Sequence, residues 1–526
     1  MALEPPSFSG PGSSSLLQAL GDVPDGNAQC INVGSWYNTA LRMVWRGIFA
    51  SAVETPSEVR SVSEERATVY PYIPNSVPAV KKRMLQEVRA ESAEDFFEDV
   101  PEKLRLRGPL KLPRPFLSEC ALRRHVESIL ARNRTCQEYL NFLGGGCWQH
   151  YVPAVCDEVN RRGELLTAYA GEPYDDHGRF QALFEYASMM GELLNMDVVN
   201  VPTYDGFQAA ATSIRMAVRI TGRRLVLVSG TVGTDALSKI RDYCRPDIEI
   251  RRVGYDPETG GMDLDALEAE MGPDVAAVYF ENPSYLGLIE ARGDEIAALA
   301  HDHGALCVVG ADPISLGVLT PPVEYGADIV CGDIQPLGMH MQFGGGHAGY
   351  IATRDEEQYV MEYPSRLFGI APTSVEGEYG FGDVAYDRTS FALREEGKEW
   401  VGTAAALWGI TAGVYLALMG PQGMVEIGEG IMARSRYAML HIDEIEGVSA
   451  PLFQSPHFKE FVVNFDATAK TVAQINQALL ARGIFGGKDL AEDFPELGNS
   501  ALYCVTEVHT KDDVDRLVEA LKEVAR

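Results

Sequence analysis

"ALCVVGADP", residues 305–313, reads as a strand that is apolar on both faces and ends in an acidic turn. A short unbroken apolar run bounded by Gly and Pro fits a strand covered on both sides, as in a parallel sheet. Three further runs have the same form: "RLVLVSG" (224–230), "VAAVYFENP" (275–283) and "ADIVCGDI" (327–334). They alternate with helical segments such as "DEIAALAHDHG" (294–304), where Gly304 is expected to cap the helix. Alternating strands and helices require right-handed crossovers, and so a mainly parallel sheet. Ligands of such sheets bind beyond the carboxyl ends of the strands. Here those ends carry Glu281-Asn282-Pro283 and Asp312-Pro313.

Working outward, "WVGTAAALWGITAGVYLALMG" (400–420) reads as a helix rich in small residues. After it come strand "FKEFVVNF" (458–465), helix "TVAQINQALLARG" (471–483), strand "SALYCVTE" (500–507) and helix "TKDDVDRLVEALKEV" (510–524). Upstream, "NSVPAVKKRMLQEV" (75–88) opens a mostly helical stretch with cap-type residues and an early Pro. Residues 1–68 begin Pro-, Gly- and Ser-rich and hold one candidate helix, "SWYNTALRMVWRGIFASAV" (35–53). The organisation predicted is an extension over 1–68, a helical arm over 69–165, a large α/β domain over 166–400 and a small α+β domain over 401–526.

Composition narrows the function. At 526 residues, 46% hydrophobic and 23% charged, the chain is of ordinary globular type. A net charge of −30 opposes binding to nucleic acid or an anionic membrane, because its summed field repels phosphate. The nine cysteines are odd in number and form no C-x-x-C pair, which argues against a zinc site or a disulfide framework and for a reducing, cytoplasmic setting. No run of about 18 apolar residues occurs, and the N-terminus lacks the basic and apolar regions of a signal peptide, so neither export nor a membrane span is expected. "HDHG" (301–304) puts two histidines on different sides of a helix with no carboxylate set beside them, and no metal site is expected.

Seven motifs occur in a telling order: "FLGGGCWQHYVPAV" (142–155), "TAYAGEPYDDHGRFQALFEYASMM" (167–190), "MDVVNVPTYDGFQAAAT" (196–212), "ENPSYLG" (281–287), "ADPISLGVL" (311–319), "GADIVCGDIQPLG" (326–338) and "GGKDLAEDFPELGNSALYCVTE" (486–507). Together they resemble subunit 1, the alpha half, of two-subunit glycine decarboxylase, the P-protein of the glycine cleavage system. The resemblance covers roughly residues 70–526. It implies an aspartate-aminotransferase-like, fold type I pyridoxal phosphate architecture with a large, mainly parallel α/β domain and a small C-terminal α+β domain. It also implies a heterotetramer with a lysine-bearing beta subunit, a lipoyl H-protein as acceptor, and pyridoxal phosphate bound mainly through the beta partner.

In such sites a glycine turn at a helix N-terminus holds the cofactor phosphate, and Tyr204-Asp205-Gly206 fits that role. A strand-end aspartate pairs with the ring nitrogen, and Asp312 fits that one. The imine-forming lysine is missing. "CGDIQPLGMHMQFGGGHAGYIA" (331–352) contains none, and no lysine lies between Lys239 and Lys398, both in charged or polar surroundings. Counting back from Gly344-Gly345-Gly346, the residue that replaces the lysine of the sister subunit is Gln335. A glutamine amide forms no imine. The resemblance therefore implies a chain that works as half of a shared site: glycine loses CO₂ and its aminomethyl group passes to the lipoyl arm, with His150, Tyr151 and Tyr169 as this chain's candidate catalytic wall.

One departure bears on the substrate. The loop after Tyr169 runs Ala170-Gly171-Glu172-Pro173-Tyr174-Asp175-Asp176-His177-Gly178, one residue shorter and more acidic than is usual in the family. Acidity there favours an amine or cation over a free carboxylate. Two alternatives to glycine decarboxylation accordingly stand beside it: an alpha-like subunit of a complex acting on another amino acid or amine, and a non-catalytic scaffold.

Overall fold

The computed structural model describes residues 69–525 apart from 71, 107, 109, 114, 166–176, 365, 390, 391 and 400–404. The extension over 1–68, Tyr169 and the acidic loop through Asp176 lie outside the described residues. Contacts divide the chain into two compact units at Pro115/Phe116. In the first, helix Pro78–Glu87 begins with Pro at its first turn, where the missing N–H costs no hydrogen bond.

The second unit holds the central sheet and includes residues 116–165, the later part of the segment read from sequence as a helical arm. Its seven strands are β1 (Val198–Val199), β2 (Leu225–Ser229), β3 (Glu249–Val253), β4 (Val275–Glu281), β5 (Leu306–Gly310), β6 (Ile329–Asp333) and β7 (Gly349–Thr353). They lie in the order β1-β7-β6-β5-β4-β2-β3. From β3 across to β6 every pairing is parallel, while β7 is antiparallel to both β6 and β1. Among the helices of this unit are α1 (His177–Leu194), α2 (Gly206–Thr221), α3 (Thr234–Cys244), α4 (Gly293–Asp302) and α5 (Ala406–Asp443). Alternation along β2 shows why its run is apolar throughout: Leu227 faces the layer of α1, α4 and α5, while Val226 and Val228 face α2 and α3. Helix α5 breaks at Gly420 (φ 59°), which Pro421 follows, and both residues disrupt helical pairing there.

C-terminal to α5, β8 (Glu460–Asn464), β9 (Lys488–Asp489) and β10 (Ser500–Cys504) form a second sheet, ordered β8-β10-β9. Helices α6 (Val472–Leu480) and α7 (Lys511–Val524) each start with a capping box, Thr471 with Gln474 and Thr510 with Asp513. Phe461, Val463, Tyr503, Ile475 and Leu517 share their core with Phe142. That last residue follows the two-residue strand Leu140–Asn141, which pairs in parallel with Ile484–Phe485 and docks this early segment on the C-terminal sheet.

Candidate active-site pocket

A cavity of about 370 Å³ opens at the carboxyl ends of β4, β5 and β6, where the sequence reading expects a ligand. Its walls come from those strand ends, the starts of α2 and α3, the Gly145-Gly146 turn, and Lys459 and Glu460 at the start of β8.

At the head of α2, Asp205 caps the helix by accepting the Gln208 N–H at 2.7 Å, and its other oxygen meets Lys239 Nζ at 2.7 Å. The Gly206 N–H donates to Asp333 Oδ2 at 2.9 Å. A Cβ at position 206 would lie 2.9 Å from Asp333 Cβ, so glycine lets the carboxylate close on the helix end. His347 Nδ1 reaches the same carboxylate at 3.0 Å. Burial would lower the His347 pKa, but Asp333 and the Cys147 sulfur raise it to about 10.

At the end of β5, the Asp312 carboxylate accepts the Ile314 N–H at 3.0 Å and pairs with Lys459 Nζ at 2.6 Å. Both side chains are buried. The same ammonium lies 3.4 Å from the Trp148 ring centroid and 3.2 Å from His150 Nε2. An ammonium only donates, so Nε2 accepts and Nδ1 carries the proton that goes to Glu507 Oε2 at 2.8 Å. Glu507 Oε1 accepts the Tyr151 N–H at 2.7 Å, leaving the Tyr151 ring exposed. Next to Lys459, Glu460 accepts the Gly145 N–H at 2.6 Å. Burial lifts the Glu460 carboxyl to about 7 although Lys459 and that N–H pull it down, and burial likewise lifts Glu281 to about 7 against its Tyr279 hydrogen bond.

Of the residues singled out from sequence, Tyr204, Asp205, Gly206 and Asp312 line this cavity. Gln335 is fully buried behind it: its Oε1 accepts the Trp148 N–H at 3.2 Å, and its Nε2 donates to the carbonyls of Trp148 at 3.0 Å and Met339 at 3.1 Å. His150 is buried in the Lys459–Glu507 relay, and Tyr151 points outward. Sequence reading missed Lys459, Glu460, Asp333 and His347. Lys239, set aside there as a cofactor lysine, stands half exposed at the mouth. The available signal was two adjacent charges at the start of an otherwise apolar strand, Lys459-Glu460 in "FKEFVVNF".

These residues do not fit pyridoxal phosphate. No lysine stands at the Gln335 position, and its amide is bonded on both sides to main chain. The aspartate that would face the ring nitrogen is already paired with Lys459. The helix N-terminus that would take the phosphate is closed by Asp333, with the Asp205 carboxylate beside it. Among the described residues, no group of His, Cys, Asp and Glu is arranged to hold a metal ion, and no helix is long and apolar enough to cross a membrane.

The probable glycine dehydrogenase (decarboxylating) subunit 1 of Staphylothermus marinus is 38% identical over 464 residues, covering 86% of this chain and 98% of that one. The protein of the same description from Geobacillus kaustophilus is 38% identical over 444 residues, covering 84% and 96%. A solved glycine decarboxylase (P-protein) of the glycine cleavage system, in inhibitor-bound form, matches with a TM-score of 0.76 at 35% identity, over 87% of this chain and 100% of that one. A sphingosine-1-phosphate lyase of Burkholderia pseudomallei, 14% identical with a TM-score of 0.58, shares the fold alone. The architecture is thus the aspartate-aminotransferase-like, type I fold of pyridoxal phosphate enzymes. With the glycine cleavage system P-protein model matching residues 71–521, almost everything after the extension, the chain belongs to that family.

Proposed function

We propose that the chain is the lysine-less subunit 1 of a glycine decarboxylase, active as an oxidoreductase only in complex with a second, lysine-bearing subunit that holds the pyridoxal phosphate. The overall reaction is loss of CO₂ from glycine and transfer of the remaining aminomethyl group to the lipoyl arm of an H-protein. The observation that carries this reading is Gln335: the strand-end pocket keeps its architecture, yet the residue at the imine position is a buried amide bonded to Trp148 and Met339. The near-complete coverage of relatives described as subunit 1 supports it.

This chain's part is to supply a wall of the shared site. Tyr151 presents an exposed ring while its backbone is fixed by Glu507, and His150 is held in one tautomer by Lys459 and Glu507. Such a wall orients a substrate carboxylate and excludes water.

The test is to incubate the purified chain with pyridoxal phosphate, alone and with its candidate partner, reduce with borohydride and measure intact masses. An adduct on the partner only is expected. A stoichiometric adduct on this chain alone would overturn the reading and return Lys239 and Lys398 to consideration.

A further inference from the structure

We propose that this chain carries, in its own side chains, a substitute for the two charged ends of the cofactor that its fold is shaped to hold. The Lys459 ammonium takes the place of the protonated ring nitrogen against Asp312, and the Asp333 carboxylate takes the place of the phosphate at the head of α2. The inference rests on the lysine-less reading above and explains how such a pocket remains stable.

The physical problem is set by what the fold retains. A strand-end aspartate buried beside apolar residues requires a cation, because an unpaired buried carboxylate is strongly destabilising. The free N–H groups at the start of a 16-residue helix favour an anion. A chain that gave up the cofactor while keeping both features would leave two opposite, uncompensated demands inside one cavity.

The side chains meet both. Lys459 comes from the C-terminal sheet, pairs with Asp312 at 2.6 Å and lays its ammonium on the face of Trp148 at 3.4 Å. Asp333 comes from the end of β6, accepts from Gly206 at 2.9 Å and is neutralised by His347 at 3.0 Å. The sign at each end matches what the cofactor would bring: positive at the aspartate, negative at the helix. A ligand with both a ring nitrogen and a phosphate must therefore displace a lysine and an aspartate together.

The test uses pyridoxine 5′-phosphate, which carries both charged ends but no aldehyde, so its binding does not depend on a lysine at position 335. It is titrated by calorimetry into the full-length chain as wild type, Lys459→Ala, Asp333→Ser and the double variant. The double variant is expected to bind at least about a hundredfold tighter than wild type, roughly tenfold for each displaced group, with the single variants between. Equal affinity for wild type and the double variant would overturn the proposal. If Lys459→Ala does not fold, melting of Lys459→Met, Asp312→Asn and their combination decides: the pair is expected to melt about 5 °C above Lys459→Met alone, since it removes the unpaired charge. A pair that melts no higher refutes the claim. A borohydride adduct on the wild-type chain would instead sink the lysine-less reading, so the two failures are distinct.

Discussion

Replacing Glu460 with glutamine should stabilise the protein at pH 8 and far less near pH 5. The Glu460 side chain is buried at the start of β8, where burial lifts its carboxyl from an ordinary value of 4.5 to about 7. Between those two values the folded chain holds a proton that the unfolded chain has released. Stability therefore falls as pH rises across that window, and the deficit is complete above pH 7. A displacement of this size corresponds to about 3 kcal/mol. Glutamine keeps an acceptor for the Gly145 N–H and carries no charge, so it removes the deficit and changes little else. The variant should exceed wild type by only about 1 kcal/mol at pH 5 and by roughly 3 kcal/mol at pH 8, the latter a rise of about 3 °C in melting midpoint for a unit of this size. Thermal melts of both proteins at half-unit steps from pH 5 to 8 make the measurement. Parallel curves, or a wild type that is the more stable at pH 8, would refute the argument from burial.

The opposite sign applies at His347, whose pKa stands at about 10: the advantage of wild type over His347→Gln should be full below pH 6.5 and shrink as pH climbs toward 10, as read from melts at pH 6, 8 and 10. Tyr151→Ala should leave the melting midpoint of the isolated chain within about 1 °C of wild type, because the ring is exposed, yet slow glycine turnover by the reconstituted complex about tenfold or more; unchanged turnover would remove Tyr151 from the shared wall. Gln335→Lys alone should yield no borohydride-stable adduct with pyridoxal phosphate, since Lys459 and Asp333 still fill the pocket, and should cost roughly 2–4 kcal/mol in chemical denaturation by burying an ammonium among carbonyls.

The four apolar runs were legible as strands because each is short, continuous and closed by Gly, Pro or an acid, and β2, β4, β5 and β6 fall within them. The head of α2 was legible too, since Asp205-Gly206 before small residues is a local capping signal. The hairpin Phe368–Pro372 with Tyr379–Asp383 was not: in "FGIAP" and "YGFGD" the large apolar residues alternate with Gly, a strand-weakening residue, and Pro closes the first, so only pairing makes them strands. Asp312 could be placed from its strand end, but its partner could not. Lys459 lies at the start of a strand in a different sheet, and nothing local says that it reaches across to β5. The same holds for Glu507 with His150, which joins the two ends of the second unit, and for Trp148 with Gln335, which brings its start onto its middle.

The Gly145–Glu460 hydrogen bond joins positions 315 residues apart, and Leu140–Asn141 finds its parallel partner only at Ile484–Phe485. On a ribosome adding about 5–20 residues per second, the first half of that wall waits roughly 15–60 s for the second to emerge. The β-strands around Asp312 and Asp333 are complete well before Lys459 has been synthesised. During that interval the nascent chain exposes an aspartate with no counter-ion, and subunit pairing that relies on a closed pocket must follow translation of the last strand.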